Sequence, residues 1–175
     1  MNVLHDISWG DTPEKINVII EINKGSLNKY EIDKKSGLIM LDRVSHSAQT
    51  FPFDYGFVPQ THWHDGDPLD VVVVTTAPLF PGCLLEVRPV AVMDMIDSGE
   101  SDAKIIAVPT GDPRFDHVKD ITDLPPHFIK EATHFYETYK KLQNKEVTIP
   151  STRGAQAARD VIVEAVALYK DLKQG

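Results

Sequence analysis

The sequence predicts an α+β fold in which the strands come first and the helices last. Segments between residues 16 and 108 either alternate apolar and polar side chains or form short apolar runs, and both patterns are typical of strands. After residue 125 the apolar residues recur every three or four positions, which is typical of amphipathic helices. We therefore expect a strongly curled antiparallel sheet with two helices packed against it.

Six segments are predicted as strands. They are residues 16–22, 28–33, 38–44, 69–76, 84–96 and 103–108. The turn "KKSG" at residues 34–37 joins the second strand to the third, and Pro and Gly residues separate the later ones. The first third of the chain is thus predicted to be a meander of strands.

Two apolar stripes predict the helices. The first consists of Phe128, Ala132, Phe135, Tyr139 and Leu142. The second consists of Ala158, Val161, Ile162, Ala165, Leu168, Tyr169 and Leu172. No repeat or linker divides the 175 residues, of which 42% are apolar, so we expect residues 1–175 to form a single domain.

Charge and composition exclude several classes of protein. The 26 acidic and 18 basic residues give a net charge of −8, which disfavours general binding to nucleic acid. The single cysteine, Cys83, cannot form an internal disulfide, and the first twenty residues carry charges instead of an apolar signal core. No apolar stretch approaches the roughly 20 residues that cross a bilayer. We therefore expect a cytoplasmic protein that binds neither nucleic acid nor membranes.

An acidic motif precedes one of the apolar runs. In "HDGDPLDV", residues 64–71, Gly66 and Pro68 impose a turn between Asp65, Asp67 and Asp70. Carboxylates that converge in this way stay ionised together only if a cation or strong donors lie among them. A polar loop capped by its own Asp side chains is the simpler interpretation. An EF-hand loop is excluded by spacing, since its sixth position is Asp70 instead of Gly.

A second acidic turn favours the metal interpretation. The segment "DSGESDAK", residues 97–104, supplies Asp97, Glu100 and Asp102 between two predicted strands. Two acidic turns at strand ends indicate a common rim, and oxygen ligands favour Mg²⁺ or Mn²⁺ over zinc. The pair His62 and His64 could indicate zinc, but no cysteine lies near it in the sequence.

Basic and aromatic residues accompany the carboxylates. Lys29 and Glu31 share one face of a predicted strand, and Arg43 can project from its neighbour. Lys104 follows the second acidic turn, and Lys140 follows Tyr139 on a predicted helix. A solvated strand face would explain each residue alone. Together with oxygen-bound cations, however, they are typical of a site for an oligophosphate.

The sequence resembles the soluble family I inorganic pyrophosphatases of the bacterial type. The motif "DGDPLDV" fits their acidic signature. The segments "VIIEI", "KYEIDKKSGLIMLDR", "DYGFVPQT", "DAKIIAVP", "VKDITDLP" and "HFYETYKKL" follow in the family's order, up to about residue 145. The resemblance implies a five-stranded OB-like antiparallel barrel flanked by two main C-terminal helices. It also implies a homohexamer that hydrolyses inorganic diphosphate to two orthophosphates with a metal-activated water and several Mg²⁺ ions, for which Mn²⁺ is a possible substitute.

The resemblance also implies a role for individual residues. The metals would be held principally by Asp65, Asp70 and Asp102, with Asp97 at a further metal and Glu21 and Glu31 acting directly or through water. Asp67 would be the general base. The substrate would be bound by Lys29, Arg43, Tyr55, Lys104, Tyr139 and Lys140. The chain departs from the family at Phe51, where a tyrosine is common, and at Ser98, where bacterial relatives often have a second acid.

Two functions of other classes compete with this prediction. A non-catalytic metal-binding module would explain the acidic turns but not the basic residues beside them. A two-metal phosphodiesterase would use similar ligands, but it would normally need a basic groove, which the acidic balance of the chain disfavours.

Overall fold

The computed structural model describes residues 2–174, which form two β-sheets and two long helices. The strands are β1 (Gly10–Thr12), β2 (Lys15–Ile22), β3 (Asn28–Ile32), β4 (Ile39–Val44), β5 (Asp54–Phe57), β6 (Asp70–Val73), β7 (Leu84–Asp97), β8 (Glu100–Ser101), β9 (Lys104–Pro109) and β10 (Val147–Gly154). The helices are α1 (Pro126–Thr138) and α2 (Ala155–Gln174). The strands and the two C-terminal helices confirm the predicted α+β class.

Five strands of the larger sheet form a closed ring. Its order is β2, β5, β6, β9 and β7, and β2 closes the ring by pairing with β7 from Ile16–Val87 to Ile19–Leu84. The pairing of β6 with β9 is parallel, unlike the antiparallel arrangement expected from the sequence. The reason is geometric: strand direction cannot alternate all the way around a ring of five, so one neighbouring pair must run parallel.

Alternate residues of the ring strands face two different apolar cores. Val71 and Ile105 lie in the core that α2 covers with Ala158 and Ile162. The neighbouring residues Val72 and Ile106 lie in the core that α1 covers with Ala132, Phe135 and Tyr136. Successive side chains of a strand point to opposite faces, so a strand covered on both faces needs an unbroken apolar run. This explains the four consecutive valines at residues 71–74.

β3 and β4 form a separate hairpin that is anchored beside the ring. Ile32 at the end of β3 packs against Ile19 and Phe57. The backbone N–H of Ile32 also donates a hydrogen bond of 2.8 Å to Oε1 of Glu21 on β2. The hairpin is therefore held at one edge of the ring, with its turn extending from it.

Several predicted boundaries were wrong, and four strands were missed. β6 ends at Val73 instead of continuing to residue 76, and α1 ends at Thr138, so Tyr139 and Leu142 lie beyond the helix. A single 3₁₀ turn, Lys141–Gln143, follows α1 and ends at Asn144 in the left-handed conformation. Leu142 is consequently 67% exposed and does not belong to the buried stripe.

The four strands that the sequence did not predict are β1, β5, β8 and β10. In β5, a Cβ atom on Gly56 would lie 2.0 Å from the carbonyl oxygen of Ile19, so only glycine allows β2 to approach this closely.

Within residues 2–174, no helix is both long and apolar enough to cross a membrane.

Candidate active site

One cleft of about 420 Å³ collects all the predicted site residues. Its lining includes Glu21, Lys29, Glu31, Arg43, Tyr55, Asp65, Asp67, Asp70, Asp97, Asp102, Lys104, Tyr139 and Lys140. These residues come from the ring strands, from the β3–β4 hairpin and from the segment that follows α1. The cleft therefore depends on contacts between parts of the chain that are far apart in sequence.

Three carboxylates converge at the floor of the cleft. One oxygen from each of Asp65, Asp70 and Asp102 lies within 4.8 Å of the others. The parallel pairing places Asp70 opposite Lys104, two residues after Asp102, so the register of β6 and β9 brings the two acids together. The loop before β6 adds Asp65, whose Oδ1 accepts a hydrogen bond of 3.0 Å from the backbone N–H of Asp67. This set of hard oxygen donors fits a divalent cation such as Mg²⁺.

Burial makes ionisation of Asp65 and Asp70 unfavourable. Loss of solvent raises the pKa of Asp65 to about 6, and it also raises the pKa of Asp70, against the opposing effect of Lys104. A divalent cation among the three carboxylates would favour their charged forms and remove this cost. The electrostatics of the floor are thus consistent with a metal site.

Lys104 supplies a positive charge at the same floor. Its side chain is 3% exposed, and its Nζ donates to Oδ1 of Asp102 at 2.5 Å and to Oδ2 of Asp70. A third contact, of 3.3 Å, joins Nζ to the hydroxyl of Tyr55. Burial acts to lower the pKa of Lys104, but Asp70 and Asp102 raise it well above its ordinary value. Lys104 is therefore protonated at neutral pH.

Glu21 forms a second buried acidic position. Burial, with Asp70 nearby, raises its pKa to about 8, against the opposing hydrogen bond from the N–H of Ile32. At neutral pH in the metal-free protein, this carboxyl group is mostly protonated.

The hairpin brings basic residues to the opposite wall. Lys29 pairs with Arg43 across the two strands, and Lys29 forms an ion pair with Glu31. Asp42 lies between the two basic residues, with its Oδ2 2.5 Å from Nη1 of Arg43 and 3.6 Å from Nζ of Lys29. Burial and the Arg43 guanidinium lower the pKa of Lys29.

A further wall is formed by the β7–β8 turn and the segment after α1. Lys140 forms an ion pair with Asp97, and the Oγ of Ser98 donates to Oδ1 of Asp97 at 3.0 Å. Tyr139 is largely buried beside them, and burial raises its pKa. Acidic and basic groups thus alternate around the cleft, an arrangement suited to an anion bound together with cations.

Comparison with known proteins identifies the family. The family model described as "Inorganic pyrophosphatase" matches residues 18–170. The chain belongs to this family. A curated inorganic pyrophosphatase from Geobacillus stearothermophilus is 49% identical over 158 residues, which cover 90% of this chain and 96% of the relative. Soluble inorganic pyrophosphatase 1 from Arabidopsis thaliana is 46% identical, over 95% of this chain and 79% of the relative.

Solved structures agree with this assignment. The crystal structure of inorganic pyrophosphatase from Thermus thermophilus superposes with a TM-score of 0.93 at 44% identity, and it covers 97% of this chain and 99% of that one. The chain is therefore a family I inorganic pyrophosphatase, a hydrolase that acts on diphosphate, and the predicted family is confirmed. A non-catalytic metal-binding module and a phosphodiesterase do not fit this membership.

The structure shows where the two residues expected to depart from the family pattern lie. Phe51 is buried in an aromatic cluster, with its ring centroid 5.0 Å from Phe135 and 6.0 Å from Tyr55, and it offers no hydroxyl group. Ser98 occupies a turn position with φ of 53° and bonds to Asp97. Neither residue disturbs the cluster of Asp65, Asp70 and Asp102.

Sequence reasoning missed some residues that line or support the pyrophosphatase cleft. Lys34 and Lys145 line it, and Asp42 bridges Lys29 to Arg43. Asp42 and Lys34 lie within the family segment "KYEIDKKSGLIMLDR", but a charged residue in a hairpin is ordinarily solvated, so the residue types gave no separate signal.

Proposed function

We propose that this pyrophosphatase hydrolyses inorganic diphosphate by attack of a metal-activated water and that the metal is Mg²⁺. One observation carries the proposal. A single cleft contains both the oxygen cluster of Asp65, Asp70 and Asp102 and the phosphate-binding candidates Lys29 and Arg43. A diphosphate bound there would have cationic groups on both sides.

The metal ligands proposed are those predicted from the sequence. Asp65, Asp70 and Asp102 would hold the principal ions, Asp97 would support another, and Glu21 and Glu31 would act directly or through water. When bound, Mg²⁺ neutralises phosphate charge and lowers the pKa of water, and Mn²⁺ can substitute because it accepts the same oxygen ligands.

The remaining residues bind substrate and transfer the proton. Asp67 is the base that accepts the proton of the attacking water. Arg43 can bind two phosphate oxygens at once with its planar guanidinium, while Lys29, Lys104 and Lys140 supply point charges. The hydroxyls of Tyr55 and Tyr139 donate hydrogen bonds that stabilise charge on the phosphates.

The test is to measure orthophosphate release from diphosphate, ATP and bis(p-nitrophenyl) phosphate, with and without Mg²⁺. We expect release from diphosphate in Mg²⁺ to exceed the other rates greatly. Ca²⁺ should be a poor substitute, because it binds such oxygen sites but is larger and a weaker acid toward water. Faster turnover of the diester, or equal turnover with Ca²⁺, would contradict the proposal.

We further propose a homohexameric assembly in the cytoplasm, with residues 1–175 as one domain. An apolar area around the hairpin supports self-association. It includes the exposed residues Leu38, Ile39, Leu41, Phe80 and Leu84, here called the hairpin surface. Ile39 connects the hairpin residues of this surface with the segment that carries Phe80 and Leu84, since its Cδ1 lies 3.3 Å from where a Cβ on Gly82 would be. Clustered exposed apolar side chains mark association sites.

A further inference from the structure

The loop of the proposed base, Asp67, holds its backbone but leaves its carboxylate weakly constrained. Its side chain is 58% exposed, and it lies between Gly66 and Pro68 in the turn before β6. Within residues 2–174, the hydrogen bond to its carboxylate comes from a single side chain, that of Lys34. A base must be held in the orientation in which it meets the proton, so the residue that holds Asp67 is of mechanistic interest.

Lys34 approaches Asp67 from the other side of the cleft. Its Nζ lies 2.5 Å from Oδ1 of Asp67 and 3.4 Å from the carbonyl oxygen of Gly66. Oδ2 of Asp67 accepts no hydrogen bond from the described residues. The contact therefore occupies one oxygen of the carboxylate and leaves the other free to accept a proton.

The turn that carries Lys34 is itself well ordered by hydrogen bonds. Oδ2 of Asp33 accepts from the N–H of Ser36 at 2.9 Å and from its hydroxyl at 2.5 Å. The N–H of Gly37 donates to the carbonyl oxygen of Asp33 at 2.8 Å. The hairpin is also fixed to β2 through Ile32 and Glu21. Lys34 thus extends from an ordered turn, whereas the carboxylate of Asp67 has no other hydrogen-bond partner among the described residues.

Other lysines in the cleft have different partners. Lys104 contacts Asp70 and Asp102, and Lys140 contacts Asp97, all of which are proposed metal ligands. A cation bound by those carboxylates would release these lysines to the phosphates. Asp67 is proposed to be the base and not a metal ligand. A bound cation would therefore not compete with Lys34 for its carboxylate.

We propose that Lys34 is a positioning residue for the reaction: it holds Oδ1 of Asp67 so that Oδ2 faces the attacking water. This inference rests on the proposed role of Asp67 as the base. It predicts that Lys34 acts through Asp67 and has no independent part in binding the phosphates or the metal.

The test is a double-mutant cycle between Lys34→Met and Asp67→Asn, with steady-state kinetics in saturating Mg²⁺. We expect Lys34→Met alone to lower kcat about tenfold with little change in KM, since misplacing a catalytic group by a small distance costs one to two orders of magnitude. In the Asp67→Asn background, Lys34→Met should cause no further loss, because the group that it positions is no longer a base.

Three controls separate positioning from other roles. Lys34→Arg keeps a donor of similar reach and should recover most of kcat. Lys35→Met removes the neighbouring lysine, which is exposed and absent from the cleft lining, and should leave the kinetics unchanged. Calorimetric Mg²⁺ affinity should be the same in Lys34→Met and the unmodified protein.

Each contrary result has a definite meaning. A rise in KM, a loss of Mg²⁺ affinity, unchanged kcat in Lys34→Met, or equal losses in both backgrounds would overturn the positioning role while leaving Asp67 as the base. Full activity in Asp67→Asn would show that Asp67 is not the base. The proposed base and the proposed role of Lys34 would then both be rejected.

Discussion

Aspartates of the same chemistry have different surroundings in this cleft. Asp70 is buried against Lys104, whereas Asp67 lies at the rim with most of its side chain exposed. A buried carboxylate beside two others is suited to holding a cation, and a carboxylate in contact with solvent is suited to exchanging a proton. This difference supports the roles that the family resemblance implies for the two residues.

Substituting these two aspartates should produce different defects. Asp67→Asn should keep Mg²⁺ binding and lose roughly 10²- to 10⁴-fold in turnover, with partial recovery at high pH, where hydroxide forms without a base. Asp70→Asn should weaken Mg²⁺ affinity, and added Mg²⁺ should recover part of its activity. Calorimetric titration and phosphate release across pH would check both variants. Rescue of Asp67→Asn by Mg²⁺ but not by alkali would show that Asp67 is another ligand.

Glu21 should make the stability of the metal-free protein depend on pH. Its pKa is raised from 4.5 to about 8 by burial in the folded protein, so between these values the folded state binds more protons than the unfolded state. The free energy of unfolding should therefore fall as pH rises from about 5 to about 8, by a few kcal/mol. Urea unfolding in a chelator should show this fall, and Glu21→Gln should reduce it. Parallel pH profiles for the two proteins would argue against a buried, protonated Glu21.

At the scale of elements, Asp54 at the start of β5 connects three segments. It is fully buried, and its carboxylate accepts from the backbone N–H groups of Lys24 at 2.9 Å and Leu79 at 3.1 Å and from the hydroxyl of Thr75. These donors belong to the β2–β3 connection and the β6–β7 connection. One side chain thus fixes two loops against the ring.

Removing this carboxylate should be costly. Asp54→Ala leaves the N–H groups of Lys24 and Leu79 without this acceptor, and we expect the free energy of unfolding to fall by about 2–4 kcal/mol. Thr75→Val removes only one hydroxyl donor and should cost about 1 kcal/mol. Urea unfolding of both variants would measure the difference. Equal losses would mean that the backbone contacts of Asp54 contribute little.

Elements with a clear side-chain period could be predicted from sequence, and the others could not. β2 and β7 are long enough to show their patterns, whereas all four residues of β5 are buried and one of them is Gly56. β10 contains Pro150, and its register shifts between Thr148 and Ser151. Such strands owe their conformation to their neighbours, which a single sequence does not reveal.

The same distinction between local pattern and tertiary contact applies to the residues of the candidate site. Residues within strong family motifs, such as Asp65 and Asp102, were placed in one cleft before any geometry was known. Lys34 was missed because its contact with Asp67 depends on where the hairpin lies relative to the ring, and that placement is set by the Glu21–Ile32 hydrogen bond. Tertiary contacts of this kind leave no local pattern in the sequence.

At the scale of the whole molecule, the hairpin surface predicts how the protein assembles. Phe80 is 70% exposed, and placing a charge there should prevent burial of this surface against another copy. We expect Phe80→Asp to yield smaller species than the unmodified protein in size-exclusion chromatography with light scattering. Leu172, 59% exposed on α2, serves as the control, and Leu172→Asp should leave the mass unchanged. An unchanged mass in Phe80→Asp would move the interface elsewhere.

Lys104 has a consequence for how the protein responds to scarcity of magnesium. Because the lysine places a positive charge between Asp70 and Asp102, part of the cost of burying these two acids is offset before any ion arrives. We therefore expect the chain to stay folded when magnesium is removed with a chelator, so that activity is lost without unfolding.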